Sequence, residues 1–188
     1  ALRDIRVDGA STIGNILDSD PMAQERLSRL LDERIRSTES PSGFLQARCS
    51  AELRISELAA AIPIDFTCVD FPTGQENPLA TKYTSLVLDL RGRGIQPMLF
   101  PSVYDQDGLE IYGRRYVSMK SACSKGLVRW CTDEKSARMM KTAGEHPYYT
   151  TAVSTLNGCP VVSRTDSRKI LAHRETLARL RNCAVIFI

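Results

Sequence analysis

The chain has 188 residues, 43% of them hydrophobic, and a formal charge of +3 set against 25 Lys and Arg and 22 Asp and Glu. That suits one globular domain or two small ones and sets disorder aside as the default. The basic residues are scattered and aromatics make up 6%, which argues against a nucleic-acid surface, and no apolar run reaches the 18 residues of a membrane-spanning helix.

In chain order, Ile5 to Val7 reads as a strand leading into an Asp8-Gly9 turn. Ser11 or Thr12 then caps a short helix carrying Ile13, Ile16 and Leu17. Asp20-Pro21 starts a second helix, with Asp at the cap and Pro where its missing N–H costs nothing. Its buried stripe is Leu27, Leu30, Leu31 and Ile35, and it should end near Arg36. A polar turn, Ser37 to Gly43, precedes strict period-two alternation from Leu45 to Ser56, which predicts a long strand with one solvated face. Ser56 should cap a helix from Glu57 to Ile62, stopped by Pro63. Residues 63–82, broken by Pro72, Gly74 and Pro78, read as a connector.

Most of the local order lies between Thr84 and Gly113. Leu86, Leu88 and Leu90 alternate with Val87 and Asp89, predicting a central strand with one face buried. Arg91-Gly92-Arg93-Gly94 follows, and Gly92 and Gly94 allow the positive φ of a chain reversal. A dinucleotide cradle would need a third glycine and an immediate helix, whereas Ile95-Gln96-Pro97 follows. Ile95 to Val103 reads as an edge or irregular strand because Pro97 and Pro101 lack ladder donors. Asp105, Asp107 and Gly108 form a tight turn into Leu109, Ile111 and Tyr112, completing a three-stranded meander.

Ser118 should cap a helix reaching Trp130-Cys131, with Gly126 weakening its middle by roughly 1 kcal/mol. Thr132 or Asp133 starts a further helical turn through Met139 and Met140, a pair read as core. A strand near Tyr148 to Val153 leads to the Asn157-Gly158 hairpin and on to Pro160–Ser163. Thr165 or Asp166 caps a helix with Ile170, Leu171, Leu177 and Leu180 inward. Ala184 to Ile188 is a fully apolar strand suited to the middle of a sheet.

The six cysteines, Cys49, Cys68, Cys123, Cys131, Cys159 and Cys183, include no C-x₂₋₄-C pair, so neither metal nor cofactor is expected. They read as mostly free thiols. His146 and His173 read as surface residues. A chain that opens at Ala1 inside an apparent strand looks trimmed, and a removed export signal leaves no trace. The fold class expected is mixed α/β (α+β), a largely antiparallel sheet with helices packed on one face. It divides into an N-terminal module (1–62), a connector (63–82) and a larger C-terminal module (83–188).

The succession Tyr83, Thr84, Leu86 to Asp89, Arg91-Gly92, Gly94, Pro97, Pro101, Asp105, Asp107-Gly108 and Tyr112-Gly113 resembles a C-terminal module of exported Gram-negative envelope proteins. Those proteins are related to flagellar assembly protein T and the flagellar outer-membrane lipoprotein P. Pro147 to Val153, Pro160 to Ser163, Asp166, Ile170-Leu171, Leu180 and Cys183 to Ile188 follow that module's order. Leu90, where the module carries a small residue, and Arg93, between the glycines, depart from it. The resemblance implies export to the periplasm or outer-membrane periphery and a non-catalytic structural or assembly role with envelope or flagellar partners. It supplies no catalytic residues.

Two other functions follow from the residues themselves. One is a ligand-binding module in which Asp89, Arg91 and Arg93 contact an anionic small molecule or a peptidoglycan carboxylate. The other, less favoured, is a cysteine hydrolase pairing one thiol with His146 or His173. Exposed strand edges would also allow self-association.

Overall fold

The computed structural model describes residues 2–34, 36–39, 47–50, 52–72 and 77–188, excepting the side chains of 36–39, 47–50 and Ile55. The fold is mixed α/β. It has a two-stranded ladder, β1 (Arg36–Glu39) with β2 (Ala47–Ser50), and two four-stranded sheets.

The N-terminal segment differs from a strand. Leu2–Asp4 is one turn of 3-10 helix, and Arg6 makes an isolated bridge to Thr12. The carbonyls of Arg6 and Val7 instead accept from Leu99 and Phe100 at 3.0 and 2.8 Å. Thr12 caps α1 (Ile13–Ser19), its hydroxyl accepting from the Asn15 N–H at 3.2 Å. Asp20 starts α2 (Pro21–Arg34) by accepting from the N–H groups of Met22 and Ala23. Ala23 and Leu27 are buried, and Leu30 and Leu31 pack partly against the same core. Ile35 lies outside the described residues, as do most of the polar turn (40–43) and Gly74.

The long strand expected over Leu45–Ser56 is shorter. Only Ala47–Ser50 is paired, residues 44–46 and 51 lie outside the described residues, and α3 already begins at Ile55 (Ile55–Ala61). The Glu57 carboxylate reaches back to accept from the Arg54 N–H at 3.0 Å, so Arg54 rather than Ser56 opens this helix.

The larger sheet is wholly parallel, in the order β6 (Arg129–Trp130), β10 (Val185–Phe187), β3 (Ser85–Asp89) and β7 (Pro147–Thr151). β3 is central, as its pattern predicts, and β10 also lies inside the sheet. Both faces of β3 are buried, not one. Leu86, Leu88 and Leu90 join the main core, while Val87 packs with Ile186, Ala137 and Ala143 beneath α5 (Glu134–Met139). A parallel sheet covered on both faces requires this, and alternation between apolar residues cannot show it.

The meander does not form. After β3 the chain runs without regular structure through Pro97 and Pro101 to a second sheet, in the order β5 (Glu110–Tyr112), β4 (Val103–Asp105), β9 (Cys159–Val162) and β8 (Ser154–Leu156). The ladder positions beside β3 are taken by β10 and β7, and the segment from Ile95 gives its backbone donors to the N-terminal stretch. The second sheet mixes antiparallel pairs, β4 with β5 and β8 with β9, around one parallel pair, β4 with β9.

Ser118 caps α4 (Met119–Lys125), but Gly126, at φ 79°, ends this helix instead of merely weakening it, and Trp130 belongs to β6. Asp133 caps α5. Met140 packs against the smaller core, whereas Met139 is 78% exposed, so the pair lines no pocket together. The single C-terminal helix expected is two, α6 (Arg164–Leu171) and α7 (Arg174–Arg181). Ser163 caps the first. His173 caps the second, its Nδ1 accepting from the Glu175 N–H at 3.1 Å, and it is buried rather than at the surface. The connector is laced to these elements: Val69 N–H donates to Arg115 O, Asn77 N–H to Ala172 O, and Phe71 stacks on Tyr116.

Candidate functional site

Ligand sites in open parallel sheets gather beyond the carboxyl ends of the strands, and Asp89 and Arg91 stand at that end of β3. Arg91 grips the Asp89 carboxylate through Nε at 2.9 and 3.0 Å, and its backbone N–H donates to Oδ1 at 3.0 Å. The Arg91 hydrogen bond holds the Asp89 carboxyl below its usual range, and Asp89 in turn raises Arg91. Gly92 and Gly94 take φ of 77° and 67° with open space beside each, so the bend uses their conformational freedom alone. Arg93 donates its N–H to Leu90 O at 3.0 Å, and its side chain does not line the cleft that Asp89 and Arg91 share with Glu134, Tyr149 and Thr151. That cleft encloses about 190 Å³, below the usual range for small-molecule sites.

The predicted turn residues sit in turns. Asp105 is buried and its Oδ1 accepts from Asp107 N–H and Leu109 N–H at 2.9 and 3.0 Å, closing the reversal completed by Gly108 at φ 79°. Asp107 pairs with Arg164 at the start of α6. Asn157 and Gly158 both have positive φ, 50° and 73°, as a two-residue type I′ hairpin needs.

Two constellations carry no local sequence signal. Asp166 receives three hydroxyls: Tyr148 and Thr150 from β7, the latter at 2.9 Å, and Ser163 at 2.6 Å. Burial pushes its carboxyl up, but those hydrogen bonds outweigh burial and leave it lowered. Burial and then Asp166 itself push the Tyr148 phenol far above its ordinary range. This clasp joins the parallel sheet to the helix that leaves the second sheet.

The other constellation is a cleft of about 450 Å³ between the N-terminal turn and the second sheet, lined by Asp8, Ser102, Tyr104, Glu110, Arg114 and Cys159 among others. Burial raises the Glu110 carboxyl, and the Ser102 hydroxyl at 3.1 Å and Arg115 offset this only in part. A Cβ on Gly113 would lie 1.9 Å from Glu110 Oε1, and one on Gly9 would lie 1.8 Å from Asn157 O. Gly9 is therefore fixed by close approach to backbone, whereas at Gly113 the flexible Glu110 side chain could swing aside. Asp8-Gly9 read only as a turn; the contact with Asn157 arises from folding across some 150 residues of chain, which no spacing rule detects.

The five described cysteines are free thiols, Cys68 exposed and Cys159 and Cys183 buried. The Cys49 side chain lies outside the description. Burial pushes the thiols of Cys123, Cys131, Cys159 and Cys183 up, the opposite of what a nucleophilic cysteine needs. No helix among the described residues is long and apolar enough to cross a membrane.

These features define a mixed α/β domain in which most strand-end charges are tied to one another. Residues 85–188, just over half of the chain and including both four-stranded sheets, match the family described as Treponema pallidum Tp0624, second domain; the chain belongs to that family. No curated protein matches the chain.

Proposed function

We propose that the protein is a non-catalytic structural or assembly component of the bacterial cell envelope, exported to the periplasm or the outer-membrane periphery, with the rim of the flagellar motor as the first assembly to test. The observation that carries this reading is the internal use of the side chains a catalyst would need. Asp89 is spent on Arg91, Asp107 on Arg164, Asp166 on three hydroxyls, and His173 on a helix cap. Each of these groups is oriented by a partner within the chain, and a general base is instead aimed at the proton it abstracts. The family takes its description from the second domain of a protein.

The test is crosslinking and affinity recovery of the tagged full-length protein from fractionated cells, with partners identified by mass spectrometry. Recovery with flagellar basal-body or outer-membrane proteins is expected; recovery alone from the cytoplasmic fraction would overturn the reading. Arg91→Ala separates it from ligand recognition at the β3 bend. The Arg91 side chain is 61% exposed, so the loss of stability should be below about 1 kcal/mol, with partner recovery intact.

A further inference from the structure

The opposite edge of the parallel sheet holds a wider pocket, about 810 Å³, between the amino ends of β3, β6 and β10. Lys125, Arg129, Lys141 and Arg179 line it, all exposed, against a single lining carboxylate, Glu145. Among the described residues none of these four cations has a carboxylate within ion-pair distance, while Arg91, Arg114, Arg115, Arg138, Arg164 and Arg181 each have one.

Helix dipoles account for part of this. Lys125 and Arg179 lie in the last turns of α4 and α7, and Lys141 follows the end of α5, where a cation complements the unpaired carbonyls. Arg129, the first residue of β6, stands at no helix end. A dipole also needs no shared cavity, and here four cations from four elements face one. The floor is rigid: the hydroxyls of Thr84 and Ser85 both donate to Ala143 O, at 2.6 and 2.7 Å, and Thr84 Oγ1 accepts from the His146 N–H at 3.1 Å. Gly144, at φ 70°, crosses so close that a Cβ would lie 2.6 Å from that of Thr84. Four cations lining one cavity with a single carboxylate give it a positive potential that an entering anion would meet from several sides.

The geometry points to a binding site for a phosphate-bearing group at the amino edge of the parallel sheet, held by Arg129 and Lys141 with Lys125 and Arg179 beside them. Arg supplies a planar fork and Lys a point charge, the two ways proteins hold phosphate oxygens. The volume accommodates a small phosphorylated metabolite or the headgroup of an anionic lipid.

Titration calorimetry of the full chain with pyrophosphate at low salt tests the free ligand, and co-sedimentation with phosphatidylglycerol against phosphatidylcholine vesicles tests the lipid source. Saturable binding in either arm is expected, weakened at least about tenfold for each cation removed in Arg129→Ala/Lys141→Ala. The matched pair Lys120→Ala/Lys135→Ala, equal in charge change but away from the pocket, should bind as the parent does. Pyrophosphate binding without vesicle binding assigns the site to a soluble ligand, and the reverse to a headgroup. No binding in either arm, or equal weakening by the two double variants, overturns the inference.

Discussion

Removing the Asp166 carboxylate should loosen the joint between the two large sheets. In Asp166→Ala the hydroxyls of Tyr148, Thr150 and Ser163 lose their shared acceptor. A hydrogen bond to a charged group contributes about 1.5–3 kcal/mol. Asp166, Tyr148 and Thr150 are half-buried, so water replaces part of that, and Ser163 keeps its acceptance of the Asp166 N–H at 3.0 Å. The two bonds that cross between elements then set the loss, about 2–4 kcal/mol, or roughly 5–15 °C in Tm for a chain of this size. Denaturant unfolding followed by circular dichroism measures it. Tyr148→Phe should be costly in the parent and nearly silent in the Asp166→Ala background, a coupling of about 1 kcal/mol or more. Because the folded-state pKa of Asp166 is depressed, its contribution is fully present above the unfolded value of about 3.9 and fades as pH falls through the lower folded value. The gap between parent and variant should therefore narrow in acid. Strict additivity of the two substitutions, or a gap in stability that does not narrow at low pH, would refute the clasp.

Gly9→Ala should cost about 2 kcal/mol or more, because a Cβ 1.8 Å from a backbone carbonyl forces the N-terminal turn off the Asn157 hairpin. Gly92→Ala, with open space but φ 77°, should cost only the left-handed strain of about 1–2 kcal/mol; thermal melts of the two order these causes. Tyr112 is fully buried and its hydroxyl donates to Leu127 O at 2.7 Å, so Tyr112→Phe should lose about 1–2 kcal/mol in chemical denaturation. Burial raises the folded-state pKa of Glu110, so the unfolded chain holds fewer protons between the unfolded value, about 4.3, and the folded one. Stability should fall across that interval, and Glu110→Gln should flatten that part of the pH profile and match the parent below it.

The sequence was most legible where one short stretch decides the structure alone. Asp20-Pro21, Ser118 and Asn157-Gly158 form a cap, a cap and a hairpin because the donors they satisfy lie within three residues. It was least legible where two distant stretches compete for the same partner. Ile95–Phe100 carries a strand-like pattern, yet it bonds to Arg6 and Val7 because β7 and β10 flank β3. The alternation at Leu86–Leu90 could not reveal that Val87 meets a second core beneath α5. Gly126 could be read as a weak point within a helix or as its end, and tertiary packing of Leu127 and Val128 made it the end. Asp89 and Arg91 stood out as charges at the end of a strand, and only the structure shows that they are spent on each other. The Asp166 clasp and the basic pocket draw on side chains from separate elements and have no signature in any window.

The polarity of the parallel sheet explains why the Asp-x-Arg-Gly-x-Gly bend is a poor place for an anion. In dinucleotide-binding folds the strand passes straight into a helix whose N-terminus faces the phosphate. Here β3 passes into a bend and then another sheet, so no helix follows Arg91, and the neighbouring helix start at α5 is already occupied by Asp133 and Glu134. Carboxylates at the edge where helix N-termini point, and cations at the edge where helix C-termini point, each complement the nearer dipole. An anion at the proposed amino-edge site would be held through side-chain charge and against the helix dipoles. Such binding rests on exposed Lys and Arg, so its affinity should fall steeply as salt screens them.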